Sequence, residues 1–394
     1  MSTVKKNRIF QNSQYNIWGT FFYFFCQWVT TIFVVRFADF SSAGIYSLAI
    51  SFSNLFGFVA RYGVRNYQIS DIQHNHTDAT YFATRGVTSA LALGIFLIVL
   101  LFVGFSSEVL LSSNVLFLYK ILESTADVFF GVYQKLNRYD AIAITQTIKG
   151  LVPLVVFAGT LWAKLGITVA CFAMAIAYLL TLLLYDLPVI LRSKGFTCGV
   201  SIMGIRMILR ACFPLMAFSL VNPYITFITR YSIERLFSED VLGYYSSISL
   251  VVVVMSTLAG SIFAVIVPQA SALHQKGDVA VLKWLILRII LGIMGVTILL
   301  LLAGALVGEW GLVLIFGQGI KPYSYLLLPM IGVSAMLTLV AFFSSTLTAF
   351  QKRIPVLLAN LVGAALCTII AWPLAKTWGM LGACISMASA WPHN

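Results

Sequence analysis

Long apolar runs alternate with short polar breaks along the whole chain. Hydrophobic windows fall at about 15–35, 43–65, 86–105, 110–133, 141–163, 165–185, 207–230, 243–267, 284–306, 324–350, 354–375 and 379–391. Most approach the roughly 20 residues that a helix needs to cross a hydrocarbon core. In lipid, a backbone that leaves its N–H and C=O groups unpaired is too costly, so runs of this length are helices. The pattern predicts an all-α polytopic membrane protein of about twelve transmembrane helices, the last of them short. Residues 1–14 are polar and basic, and a full-length span without a small-residue cleavage site follows, so no cleavable signal peptide is expected.

Composition narrows the class further. The 394 residues are 60% hydrophobic and 10% charged, with a mean hydropathy of +0.95. A soluble domain carries about 25% charged residues, so this chain cannot cover a water-facing surface. That excludes a soluble enzyme, a nucleic-acid-binding domain and a disulfide-stapled secreted module. The six cysteines (Cys26, Cys171, Cys198, Cys212, Cys367, Cys384) have no CxxC or metal-ligand spacing, and five lie in apolar stretches. There a thiol acts as a small hydrophobe. His74 and His76 share a polar loop, too few for a metal site.

The net charge of +12 comes from 25 Lys+Arg against 13 Asp+Glu. In a soluble chain it would point to nucleic acid; here its placement decides. With the N-terminus in the cytoplasm, seventeen basic residues fall on the inner side, from Lys5, Lys6 and Arg8 to Lys352 and Arg353. Six fall outside: Arg36, Lys164, Arg230, Arg235, Lys321 and Lys376. This is the positive-inside asymmetry of a twelve-span protein, and no nucleic-acid partner is implied.

The connection 186–206 is the longest on the inner side and divides the spans six and six. The expected organisation is an N-terminal six-helix lobe over 1–190, a cytoplasmic linker over 191–206 and a C-terminal six-helix lobe over 207–394. Short matches recur in the same order in both halves. Val35-Arg36-Phe37 with Ala43-Gly44-Ile45-Tyr46-Ser47 is echoed by Thr229-Arg230-Tyr231 with Leu242-Gly243-Tyr244-Tyr245-Ser246. Phe129-Phe130, Gln134-Lys135 and Leu165-Gly166 are echoed by Phe342-Phe343, Gln351-Lys352 and Leu381-Gly382. Six spans separate the copies, so both have one membrane orientation. Such a parallel repeat forms two lobes facing a central cavity in many transporters. The repeat also makes the chain look short, because its closing Trp391-Pro392-His393-Asn394 arrives before a full twelfth span.

Ionisable groups at membrane depth are functional candidates because they are costly there. The fourth span holds Lys120, Glu123 and Asp127, within roughly 60° of one another around a helix. Ser124, Gly131 and Gln134 continue that polar stripe, which must face the bundle interior. The fifth span carries Lys149 about 12 Å from its cytoplasmic start, with Thr145 and Gln146 on the same side. Asp127 lies at nearly the same depth, so Lys149 is expected to pair with Asp127, and Lys120 with Glu123, giving a neutral set. Such a set is either an ion-pair network that fixes two helices or a cavity wall that contacts substrate or relays a coupling proton. Near the cytoplasmic end of the second span, Asn54 and Arg61 lie on one line, with Arg65 one turn on. Paired guanidinium groups suit a pyrophosphate; they also suit ordinary positive-inside flanking.

Several of these residues resemble a known family. Arg36-Phe37, Ala43-Gly44-Ile45-Tyr46-Ser47-Leu48-Ala49 and Tyr62-Gly63-Val64-Arg65-Asn66-Tyr67 resemble the first two spans of Wzx-type bacterial polysaccharide flippases. These belong to the multidrug/oligosaccharidyl-lipid/polysaccharide (MOP) superfamily. Leu242-Gly243-Tyr244-Tyr245 and Gln134-Lys135-Leu136-Asn137-Arg138-Tyr139 agree, and the resemblance runs along essentially the whole chain. It implies a transporter, not an enzyme. Such a protein moves an undecaprenyl-pyrophosphate-linked oligosaccharide unit from the inner to the outer leaflet by alternating access. It would sit in a bacterial inner membrane, multi-pass, with its N-terminus cytoplasmic. Its partners would be the bilayer, the polyprenyl-linked substrate, and the polymerase and glycosyltransferases of an O-antigen or capsule pathway. No cofactor is expected beyond a coupling proton or sodium ion. The site residues would be Asn54, Arg61, Arg65, Lys120, Glu123, Asp127 and Lys149. Two rivals are a cation-coupled multidrug or metabolite antiporter of the same superfamily and a membrane-embedded glycan polymerase or glycosyltransferase.

Overall fold

The computed structural model describes residues 3–71, 73, 75–192, 196–350 and 353–389. Among these every regular element is helical. In order they are α1 (Thr3–Phe37), α2 (Phe40–Arg61), α3 (Val64–Ser70), α4 (Asp78–Val103), α5 (Ser107–Lys135), α6 (Tyr139–Trp162) and α7 (Ile167–Thr181). A π-helical turn, Leu182–Asp186, leads into α8 (Leu187–Leu191). Then follow α9 (Ile202–Ser219), α10 (Val221–Leu236), α11 (Glu239–Lys276), α12 (Val279–Phe316), a 3₁₀ segment Gln318–Leu326, α13 (Leu327–Ala349) and α14 (Arg353–Ser389).

Ten helical stretches among the described residues are long and apolar enough to cross a membrane. The expected twelve windows map onto this set with two physical differences. α5 is 29 residues long but carries Lys120, Glu123 and Asp127, so its composition alone does not mark it as a span. The last two windows share α14, which is interrupted at Gly379 (φ 60°, ψ −139°). A Cβ at Gly382 would overlap the Leu374 carbonyl, so the chain after Gly379 folds back closely on the preceding turns. Trp391-Pro392-His393-Asn394 lie outside the described residues, as do His74, Lys194, Gln351 and Lys352.

The chain forms two compact units. The first comprises Met1–Ala38 and Ile45–Pro223; the second comprises Asp39–Gly44 and Tyr224–Asn394. In the first, α1 lies along α6. Gly19 touches the Ala143 backbone and Gly150 touches Cys26 and the Tyr23 backbone. Small residues let helices approach where no hydrophobic drive against lipid exists. α9 packs on α3 and α4 and so belongs with the first unit. Its path is set by the segment before it. Asp78 accepts from the amide and hydroxyl of Thr197 at 3.1 and 3.0 Å, and Ala79 N–H donates to the Thr197 carbonyl at 3.1 Å. Ser201 N–H donates to the Thr80 hydroxyl at 3.2 Å.

In the second unit the repeat motifs meet. Gly44, near the start of α2, faces the backbone of Glu239, and Gly243, near the start of α11, faces the backbone of Phe40. The rings of Phe40 and Tyr244 lie 4.1 Å apart, and those of Tyr244 and Tyr323 lie 4.2 Å apart. The two glycines that sequence repetition pairs are thus the two that permit this crossing. Gly243→Ala places a methyl group inside the Phe40 carbonyl. It is expected to destabilise the purified protein by about 1–3 kcal/mol, the usual cost of overpacking; an unchanged thermal midpoint would refute the contact.

Candidate functional site

The site of the first unit begins with a broken helix. α2 ends at Arg61, and the next two residues are left-handed, Tyr62 at φ 49° and Gly63 at φ 71°. A non-glycine residue in that region is uncommon and strained. Gly63 is suited to it; Tyr62 is held there by burial among Val64, Tyr81, Val128, Ile208 and Cys212. The break frees carbonyls at the end of α2, and such groups must find partners when buried. Ala60 O accepts from the Arg85 guanidinium and, at 2.8 Å, from the Thr88 hydroxyl, both on α4.

Across from the break, α5 presents two carboxylates one helical turn apart. Glu123 accepts from Arg61 at 2.8 Å and from Lys120 at 2.6 Å. Asp127 accepts from Arg65 at 3.2 Å and from Arg85 at 3.3 Å. Arg61 and Arg65 therefore reach i, i+4 carboxylates from either side of the helix break. Four cations surround two carboxylates, leaving a surplus of two positive charges. The cations differ in accessibility. Arg85 and Lys120 are 2% and 8% exposed and anchor the carboxylates from within, whereas Arg61 and Arg65 are 29% and 22% exposed. Arg61 also lies over the Phe58 ring at 5.1 Å, and Arg65 over Phe130 at 5.4 Å, contacts that hold a guanidinium plane in place.

The expected pairing of Lys149 with Asp127 is not formed. Lys149 is buried in a direct ion pair with Asp186, which is itself fully buried. Asp186 closes the π-helical turn after α7, and its carboxylate also accepts from Thr145 at 3.0 Å and Tyr133 at 3.2 Å. The Lys149 ammonium lies 5.2 Å from the rings of both Phe130 and Tyr178. The π-helical turn adds a residue to the helix and rotates Asp186 inward; α6 turns Lys149 toward it, and Asp127 is taken up by two arginines. The four charges read as a neutral set are therefore two separate groups. Lys120 and Glu123 do pair within α5. Asn54 is half-buried on α2, two turns before Arg61, and makes no hydrogen bond to the cluster.

Two members are not among the expected site residues: Arg85, one of the seventeen inner-side basic residues, and Asp186, the first residue of the 186–206 connection. Asp186 had a legible signal, since it directly follows an apolar run and falls opposite Lys149 in depth. Arg85 had none beyond lying one residue outside a hydrophobic window.

Below the cluster the α3–α4 turn is fixed by Asp71. Burial alone would raise its carboxyl. The amides of Asn75 and His76 and the Tyr81 hydroxyl donate to it and hold it below the ordinary aspartate value. Lys135 at the end of α5 reaches Asp78 at 3.5 Å and lies over the Tyr81 ring at 4.8 Å.

Fold and site together define a class: a multi-pass helical membrane protein whose first unit keeps a cation-rich cluster among its helices. The chain matches the model of the family described as polysaccharide biosynthesis protein over residues 9–274. It belongs to that family. No curated protein matches the chain in sequence. Among solved structures it is similar to the lipid II flippase MurJ in an inward closed conformation, at 14% identity and a TM-score of 0.73. That match covers 96% of this chain and 84% of that one. It is also similar to an inward-facing multidrug resistance MATE family transporter of the MOP superfamily, at 14% identity and a TM-score of 0.68, over 93% and 90% of the two chains. A MOP superfamily transporter from Pyrococcus furiosus matches at 12% identity and a TM-score of 0.64, over 98% and 92%. The fold is the one these solved structures share.

Proposed function

We propose that this protein is a transporter, not an enzyme, that flips a polyprenyl-pyrophosphate-linked oligosaccharide between leaflets during cell-surface polysaccharide synthesis. The observation that carries this reading is the surplus of two cations around Glu123 and Asp127, with the guanidinium groups of Arg61 and Arg65 the accessible members. A pyrophosphate diester carries two negative charges, and guanidinium forks bind its oxygens bidentately. A cationic drug would meet repulsion at the same place, which favours the flippase over a multidrug antiporter. The family membership supports the pathway; the shared fold does not choose between a flippase and a multidrug transporter.

In this reading the protein sits in a bacterial inner membrane with its N-terminus cytoplasmic, an orientation that the basic-residue asymmetry supports. The polyprenyl tail stays in lipid while the sugar crosses by alternating access. The undecaprenyl carrier, the sugar, and the polymerase and glycosyltransferases of the same pathway are proposals of the same reading. The sequence contains no ATP-binding motif, so an ion gradient or removal of product would drive the cycle. Deletion of the gene in its host is expected to accumulate lipid-linked units accessible only from the cytoplasmic face. Normal outer-leaflet units in the deletion strain would refute the proposal. Proton- or sodium-dependent efflux of a small cation by the purified protein would favour the antiporter.

A further inference from the structure

Six basic residues of the first unit share one property. Arg61, Arg65, Arg85, Lys120, Lys135 and Lys149 each have a carboxylate within ion-pair distance. α9 differs from them. It is apolar enough to cross a membrane and contains no acidic residue, yet it carries Arg206 and Arg210, both exposed. Among the described residues neither makes an ion pair. Around them on the same outward face are Ile202 (84% exposed), Met203 (68%) and Met207 (51%). The opposite face is committed: Gly204, Ile208 and Cys212 are buried, the last two in the core formed by Tyr62, Val64, Tyr81 and Val128. The bonds of Thr197 and Ser201 to α4 fix the start of the helix. α9 therefore cannot rotate to hide its arginines.

An unpaired guanidinium beside lipid is costly unless it snorkels to a counter-ion at the interface. Arg206 and Arg210 begin about 6 and 12 Å along the helix from its first residue, within reach of the headgroup layer. At i, i+4 their Cβ atoms are about 5–6 Å apart, a spacing at which both guanidinium groups can meet one phosphodiester. We infer that this face of α9 is a binding site for an anionic glycerophospholipid. Its phosphate is held by Arg206 and Arg210, and its acyl chains lie against Ile202, Met203 and Met207. The occupant is a resident lipid of the leaflet on the side of the α3–α4 turn, distinct from the pyrophosphate proposed at Arg61 and Arg65. Lipid supplies the carboxylate's missing role: it neutralises α9 while leaving it free of a protein partner.

The test uses the full-length protein in mild detergent, titrated with dioleoyl phosphatidylglycerol or dioleoyl phosphatidylcholine and read by native mass spectrometry. The wild type is expected to retain phosphatidylglycerol preferentially. The Arg206→Gln/Arg210→Gln variant should lose that preference by on the order of tenfold to thirtyfold, the scale of two basic residues at a charged surface. The Arg206→Lys/Arg210→Lys variant should keep most of it. An equal thermal midpoint in phosphatidylcholine would show that the glutamine variant is folded; if it is not, the single Arg210→Gln variant is read instead. Equal retention of the two lipids by the wild type would overturn the site. So would undiminished phosphatidylglycerol preference in the glutamine variant. Displacement of phosphatidylglycerol by equimolar undecaprenyl pyrophosphate would also overturn it, by assigning the face to substrate.

Discussion

Asp186→Ala is expected to lower the unfolding free energy of the purified protein by about 3–5 kcal/mol, the cost of leaving a buried charge without its partner. Lys149 and Asp186 are 1% and 0% exposed, so the lost carboxylate is not replaced by bulk solvent. The lysine would keep the aromatic faces of Phe130 and Tyr178 in place of its counter-charge. Tyr133 and Thr145 would lose their acceptor as well. Lys149→Met should be damaging for the mirror reason, since it strands a carboxylate. The double variant Lys149→Met/Asp186→Leu should recover much of the loss, because well-packed apolar residues often replace a buried pair at little cost. Thermal unfolding of the wild type, Lys149→Met, Asp186→Leu and the double variant in one detergent closes a double-mutant cycle, with Asp186→Ala measured beside it. A single Asp186→Ala variant with wild-type stability, or a double variant worse than either single, would contradict a pair that acts as a unit. Recovery in the double variant would assign the pair to holding α6 against the turn after α7, and transport in these variants is then expected to fall only as far as folded protein does.

The second large effect is expected at Arg61 and Arg65, and there the logic reverses. Each carboxylate of the cluster has two cationic partners, one accessible and one buried. Removing Arg61 leaves Glu123 with Lys120, and removing Arg65 leaves Asp127 with Arg85. Neither carboxylate is stranded, so Arg61→Gln/Arg65→Gln should fold and insert normally. Its flipping of lipid-linked pyrophosphate in proteoliposomes should nevertheless fall roughly 10²- to 10⁴-fold, as expected when two charge-assisted contacts of about 1.5–3 kcal/mol each are lost. The Arg61→Lys/Arg65→Lys variant keeps the charge but not the bidentate fork and should be intermediate. Arg85→Gln serves as a contrast: it is buried and supports both Asp127 and the free carbonyl of Ala60, so it should cost stability. Wild-type flipping by the double glutamine variant would return Arg61 and Arg65 to the role of topology signals and remove the basis for a pyrophosphate site.

The first unit also shows why the cluster was only partly legible. The spacing of Lys120, Glu123 and Asp127 along α5 determines that they share a face, because helical periodicity is local. Nothing local determines which residue of another helix they meet. Depth alone pairs Lys149 with Asp127, whereas the packed helices give it Asp186. The π-helical turn at Leu182–Asp186 adds a residue where a regular helix would have continued, and that shift selects Asp186. In the same way Tyr62 and Gly63 fall inside a stretch that reads as one uninterrupted span, and the break between α2 and α3 brings Arg61 and Arg65 to carboxylates one turn apart.

The amino-acid sequence by itself determined what depends on composition and local period: an all-helical membrane protein, the approximate bounds of its spans, and the repeated glycine motifs at the starts of α2 and α11. Lipid enforces these directly, since every apolar run must become a helix and every charge must be placed. Only the tertiary structure decided how charges are shared, which of them are spare, and which lie outward without a partner. Those outcomes depend on helix rotation and on backbone breaks, each set by side-chain packing between segments far apart in sequence. A one-residue change in helical phase turns a side chain by about 100°, enough to exchange Asp127 for Asp186 as the partner of Lys149.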